Sequence, residues 1–294
     1  MRKMTMPSEP TDILDAAPAL AGGVSGPEDP GEGWHQIDWR RAEREVRRLR
    51  QRIFTASRAG ELARVRRLQE LMLRSRSNAL VSVRRVTERN AGRLTAGVDG
   101  RVVLTPEAKV ELADRVQHGR DTFKALPVRR VYIPKPGGKK KRPLGIPVIA
   151  DRAHQACVAN ALEPEWEARF EPKSYGFRPG RGCHDAIQAI HEVNKGKNPK
   201  RPWVLDADLA GAFDRISHRH ILAMIGSFPA RGMIAAWLRA GVVENGRLRR
   251  TEEGTPQGGL CAAAHNDPYE QRWVMRSVRL DRLLGAGLTV ERCA

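Results

Sequence analysis

The run Val204-Leu205-Asp206-Ala207-Asp208-Leu209-Ala210-Gly211-Ala212-Phe213-Asp214 carries the residue types that cation chemistry needs. In an extended chain, side chains alternate, so Leu205, Ala207 and Leu209 fall on one side and Asp206 and Asp208 on the other. Two carboxylates on one side repel each other unless a cation or solvent screens them. A divalent metal held by oxygen ligands is one resolution. A strand that ends in solvent is the other.

Three further segments carry chemistry-bearing residues. Tyr132 to Pro147 reads as a β-hairpin with Pro136-Gly137-Gly138 at its tip, and Lys139, Lys140, Lys141 and Arg142 start the return strand. Such a finger suits a triphosphate or a nucleic-acid backbone, since Lys and Arg bind phosphate oxygens strongly. The bare pattern also fits a non-specific basic cluster. Ser174-Tyr175-Gly176-Phe177-Arg178-Pro179-Gly180-Arg181-Gly182-Cys183-His184-Asp185 alternates aromatics with Gly and Arg ahead of a helix. It reads either as a surface that approaches a base or as a Gly-rich loop over buried rings. Glu253-Gly254-Thr255-Pro256-Gln257-Gly258-Gly259 places an uncharged hydrogen-bonding side chain in an open turn.

The elements that must position these residues are legible in outline. Asp38 is placed to cap a helix in which Trp39, Ala42, Val46, Leu49 and Ile53 form the inner face. Its other face holds Arg40, Arg41, Arg44, Arg47, Arg48 and Arg52. A second helix follows Gly60, with Leu62, Val65, Leu68, Leu71 and Met72 expected inside and Arg64, Arg66, Arg67 and Arg74 outside. Glu seldom interleaves to neutralise these arginines. Arg40, Arg44, Arg47, Arg48, Arg64 and Arg67 are therefore RNA-contact candidates, against the bland reading of a solvated face. Beyond Asn90, strands at Val131 to Pro134 and Trp203 to Leu205 alternate with helices at Arg152 to Phe170, Asp185 to Val193 and His220 to Ile225. An α/β or α+β core follows.

Composition narrows the class. Of 294 residues, 40% are hydrophobic and 29% charged, which excludes wholesale disorder. Fifty-two Lys and Arg against 34 Asp and Glu give +18, a footprint for polyanions. Residues 1–33 carry net −4 among Pro, Gly and Ala, and are expected to form a disordered acidic leader; the rest holds +22. Cys157, Cys183, Cys261 and Cys293 lie far apart, which argues against a zinc ribbon or a disulfide framework and suits a reducing compartment. No apolar run approaches the ~18 residues of a membrane span, so a cytoplasmic location off the membrane is expected.

In order and spacing, these segments resemble the reverse transcriptases encoded by group II introns. The resemblance runs from Trp34 to Gly259 and includes Val86-Thr87-Glu88 and Thr95-Ala96-Gly97-Val98-Asp99-Gly100. It implies an α+β fold: right-hand polymerase fingers with an incomplete palm over 91–294, preceded by a basic helical extension over 34–90. It also implies RNA-templated DNA synthesis, RNA splicing and intron mobility. The partners implied are intron RNA as template, a DNA primer and deoxynucleoside triphosphates, and the cofactor is two Mg²⁺ ions. By resemblance, Asp208 is the catalytic, metal-binding carboxylate and the Leu209 carbonyl joins it. Phe213 lies under the sugar, and Arg142 grips the triphosphate with help from one of Lys139 to Lys141, such as Lys141. Arg178 faces the nascent pair from its loop, and Gln257 lies near that pair. The use of His184, or of His218 and His220, as a metal site is a weaker alternative.

One departure bears on activity. The family completes its metal sites with a Tyr-Ala-Asp-Asp box, and this chain has no Asp-Asp pair. Val290-Glu291-Arg292-Cys293-Ala294 resembles the approach to that box, with Cys293 where Tyr would stand. The expectation is a truncated, catalytically incomplete copy without polymerase activity of its own. The competing reading is a non-catalytic RNA-binding protein that uses only the basic extension and fingers.

Overall fold

A computed structural model describes residues 32–134, 141–175, 178–195, 203–206, 215–255 and 289–292. The description below is confined to them. The order opens with helices α1 (Glu32–His35), α2 (Trp39–Arg58), α3 (Leu62–Arg74) and α4 (Arg76–Arg84), then a π turn at Arg85–Arg89, a 3₁₀ turn at Ala91–Leu94 and α5 (Pro106–His118). The hairpin β1 (Val128–Pro134) and β2 (Lys141–Ile146) follows, then α6 (Ile149–Glu167), α7 (Cys183–Asn194), β3 (Trp203–Asp206), α8 (His218–Ile225) and α9 (Arg231–Arg239). Three short strands close the order: β4 (Val242–Glu244), β5 (Arg247–Arg249) and β6 (Thr289–Arg292). The fold is α+β.

Helix α6 is the hub. It is buried on nearly every side, as a helix enclosed by others must be. Val158, Ala161, Leu162 and Trp166 join one core with Ile53, Val65, Met72, Ile225, Phe228 and Leu238. Ile149, Ala153, Ala156 and Cys157 join a second with Trp34, Val83, Val86, Leu112 and Val116. The N-terminal helices and the α8–α9 pair are thus welded to one rod. Helix α5 packs on α1 and α4, within the same body.

Several sequence expectations hold locally. Asp38 does cap α2, its Oδ1 accepting from the Arg41 N–H at 2.8 Å. Ala42, Val46 and Ile53 are buried, and Arg40, Arg44, Arg47, Arg48 and Arg52 are exposed or partly so. Helix α3 departs from expectation at three positions. Leu62 and Leu71 are about half exposed instead of inside, because helix α3 turns Val65, Leu68, Met72 and Leu73 to the core and a wider stripe finds no partner. Arg66, expected outside, turns inward to Glu165 of α6 at 2.6 Å.

The sheet order is β2-β1-β4-β5, with β1 antiparallel to β2 and parallel to β4. In β1–β2, Ile133 pairs with Arg142 and Pro134 with Lys141. The hairpin tip at 135–140 lies outside the described residues. Strand β3 pairs antiparallel with β6, Asp206 opposite Thr289 and Trp203 opposite Arg292. The start of β6, not its end, therefore lies at the carboxylate end of β3. A free strand edge accepts whichever partner the chain offers.

Candidate nucleotide and RNA interface

The Thr95-to-Gly100 segment is held by a buried arginine. Arg152 of α6 donates through Nε to Pro147 O at 2.9 Å, through Nη1 to Gly92 O at 2.9 Å, and through Nη2 to Thr95 O. One guanidinium thereby ties the end of the hairpin, the 3₁₀ turn and the segment after it. Burial pushes the Arg152 pKa down from its usual value. Gly97 lies against the backbone of Val148, where a Cβ would fall 2.6 Å from both its N and Cα. Gly100 turns the chain at φ +67°. The glycines of this motif are packing and turn requirements.

On the hairpin, Lys141 and Arg142 are both exposed. Successive residues of a strand point to opposite faces, so these two cations leave the strand on opposite sides. Arg142 shares its face with its cross-strand partner Ile133, whereas Lys141 shares the face of Pro134 and Tyr132. The Tyr132 hydroxyl is bonded to Glu244 of β4, which cross-links the hairpin to its parallel neighbour.

Arg178 is held within its own loop. It is buried, with Nε donating to Glu167 Oε1 at 3.0 Å and Nη2 bonded to the same carboxylate. Its Nη1 donates to Glu171 O at 2.8 Å and Ser174 O at 3.1 Å. Arg181 turns back the same way, onto Pro172 O and Ser174 O. The Arg178 donors are taken up inside the chain. Arg178 holds the loop in shape ahead of α7, where Asp185 accepts from the Gly182 N–H at 2.6 Å.

Asp208, Leu209, Phe213 and Gln257 lie outside the described residues. Their flanks, however, are fixed together. Gly254 N donates to Ile216 O at 2.8 Å, Ser217 and Glu253 form an isolated antiparallel bridge, and His218 Nε2 meets Gly254 O at 2.6 Å. Ile216 lies three residues after Phe213, and Gly254 three residues before Gln257. The exit of the aspartate segment and the entry to the Gln257 turn thus meet at one point. His218 is part of that junction, a role that no spacing or residue type signals ahead of the pairing itself. Among the described residues, no group of three His, Cys, Asp or Glu is arranged to hold a metal ion.

An arginine stripe runs along the exposed side of the N-terminal helices. Arg40, Arg44, Arg47, Arg48, Arg52 and Arg67 make no hydrogen bond or ion pair among the described residues. By contrast, Arg41, Arg64 and Arg74 pair with Glu45, Glu61 and Glu70. Arg64 is thus a less free contact than the other candidates. No described helix is long and apolar enough to cross a membrane.

A family model for the N-terminal domain of reverse transcriptases matches residues 34–116, and one for reverse transcriptase (RNA-dependent DNA polymerase) matches residues 133–267. The chain belongs to the reverse transcriptase/maturase family of group II introns. Protein YkfC of Escherichia coli K12 is 35% identical over 227 residues, covering 74% of this chain and 58% of that protein. The group II intron-encoded protein LtrA of Lactococcus lactis is 39% identical over 145 residues, 48% of this chain and 24% of LtrA. A 91 kDa protein in the cob intron of Schizosaccharomyces pombe is 34% identical over 146 residues, 48% of this chain and 18% of its own length. The chain thus spans less than two thirds of these relatives.

Proposed function

We propose that this chain supplies the RNA-holding helices and nucleotide-gripping fingers of an RNA-templated DNA polymerase that works on group II intron RNA. The carrying observation is the stripe of arginines on α2, free of ion pairs among the described residues and built onto the same packed body as the β1–β2 finger. Guanidinium groups with no carboxylate partner are set to meet phosphates. In this reading the substrates are deoxynucleoside triphosphates and a DNA primer on an intron RNA template. The four widely separated cysteines suit a reducing, cytoplasmic setting.

The residue roles follow the same reading. Arg142 holds the triphosphate from one face of the finger, with help from one of Lys139 to Lys141. Phe213 closes the space beneath the sugar, and Gln257 stands near the nascent pair. The carboxylate of Asp208 and the Leu209 carbonyl are oxygen donors, the set a hard divalent cation prefers, so they are the residues to hold Mg²⁺. When bound, such ions stabilise the attacking and leaving oxygens of an in-line displacement. Arg178 is a positioning residue for its loop.

The test is RNA affinity against salt. For single strands the slope of log K against log[salt] is about −0.7 per neutralised phosphate, so replacing Arg40, Arg44, Arg47 and Arg48 by Gln should flatten it by about 3. An unchanged slope refutes the assignment of the stripe.

A further inference from the structure

A second basic feature lies in the later part of the chain, away from the α2 stripe. Helices α8 and α9 and the strand exit after β5 enclose a cleft of about 470 Å³. Arg219, Arg231 and Arg239 line it together with His218. Its single lining carboxylate is Glu252, and Leu222 and Thr251 complete the wall. Among the described residues neither Arg219 nor Arg239 makes an ion pair or hydrogen bond. Arg231 donates through Nε to Leu222 O at 3.2 Å, which leaves its charge uncompensated by any described carboxylate.

We propose that this cleft is a further nucleic-acid site that takes the phosphodiester backbone of a single strand. It rests on the reading that the protein holds nucleic acid, and adds a second place where it does so. Three guanidiniums lining one opening repel one another, and among the described residues one carboxylate lines it with them. An external anion removes that repulsion. Several neighbours extend the charge beyond one phosphate. Thr251 continues from β5 and its flank, where Arg247, Arg249 and Arg250 are all exposed, and Glu244 stands opposite Arg247 in the register and 3.5 Å from Arg249. At the other end, the α8–α9 turn is tied to α3 by Arg66 Nε donating to Ser227 Oγ at 3.2 Å, and the Arg66 charge is met by Glu165. Exposed arginines on β5 and its flank, next to those lining the cleft, match a polymer better than an isolated ion. Arginine forks are suited to phosphate oxygens.

Fluorescence anisotropy with a labelled single-stranded RNA and a DNA of the same sequence, titrated with the full chain at several salt concentrations, tests this. Arg219→Gln with Arg239→Gln should reduce the salt slope by about 1.4, two phosphates at about 0.7 each, with the thermal midpoint unchanged. Arg219→Lys with Arg239→Lys should keep the slope. A loss confined to RNA or shared by DNA identifies which strand occupies the cleft, and either supports the site. An unchanged slope in the Gln pair overturns it, as does an equal loss in the Lys pair. The α2 four-arginine variant is measured beside them. If it alone loses slope, the cleft inference fails and the stripe stands; if neither variant does, nucleic-acid holding itself fails.

Discussion

Cys157 and Cys183 carry the same thiol in opposite circumstances. Cys157 is enclosed on α6, and burial pushes its pKa up to about 12. Asn78 Nδ2 lies 2.9 Å from its sulfur, and also donates to Met72 O at 2.9 Å and Cys157 O at 3.1 Å. A thiol held neutral and out of solvent is a poor nucleophile. Cys183 is exposed at the start of α7. Treatment of the folded chain with N-ethylmaleimide at pH 8 should modify Cys183 and spare Cys157 until denaturant is added, as read by peptide mass spectrometry. Comparable labelling of Cys157 under native conditions would mean that α4 and α6 separate readily. The carboxylate at Glu165 follows a similar logic of enclosure. It is about 1% exposed and is surrounded by Arg66, Arg169 and Gln69. The pattern of α3 alone places Arg66 outside, because a helical wheel records spacing and not the partner another helix brings. The same gap explains Arg178: the loop sequence displays its type, while Glu167, eleven residues earlier, decides where it points.

Glycines on two elements separate close packing from open helix surface. Gly97 abuts the residue that caps α6, and a Cβ there would require the Val148 backbone to move. Gly97→Ala should cost about 1–3 kcal/mol in urea unfolding, the usual range for overpacking. A Cβ added at Gly232, in α9, would meet nothing within 4 Å. Gly232→Ala should stabilise by about 0.5–1 kcal/mol through reduced backbone entropy. Equal effects at the two sites would contradict the packing described for the Thr95-to-Gly100 segment. Elements built from local pattern were legible in the sequence: α2 and its Asp38 cap, the β1–β2 finger, β3, and the cores of α6, α7 and α8. Helix α5 and the parallel pairing of β1 with β4 were not, since a parallel ladder joins Val128 to Val242 across more than a hundred residues. The site was legible as residue types in order. The meeting of Ile216 with Gly254 that gathers its flanks was not, because a single long-range backbone bond leaves no periodic trace.

Over the whole molecule, two buried groups on α6 set opposing responses to pH. Burial raises the Asp151 pKa from 3.8 to about 6, even with the Leu126 N–H donating to its carboxylate at 3.1 Å. The folded state therefore holds that proton more tightly than the unfolded chain, and stability falls as pH rises from about 4 through 6. Burial, with Arg115 assisting, lowers the His154 pKa from 6.5 to about 4. Here the unfolded chain binds the proton more tightly, so stability rises with pH from about 4 to 6.5. Where the windows overlap the two slopes nearly cancel. Glu70 and Glu88, held low by Arg120 and Lys109, lose their contribution as pH falls from the ordinary value of 4.5. The wild-type midpoint should therefore be nearly flat from pH 4.5 to 6. Asp151→Asn keeps an acceptor for Leu126 but removes one of the opposing groups. Its stability should climb through that window by up to about 1.4 kcal/mol per pH unit, the slope of one proton. At pH 7 it should exceed the wild type by roughly 1–3 kcal/mol, since no buried charge remains there to be solvated. Urea midpoints at half-unit pH steps measure both. A variant curve parallel to the wild type would show that Asp151 is ionised and well compensated in the folded chain, and that the α6 hub is wetter than its packing indicates.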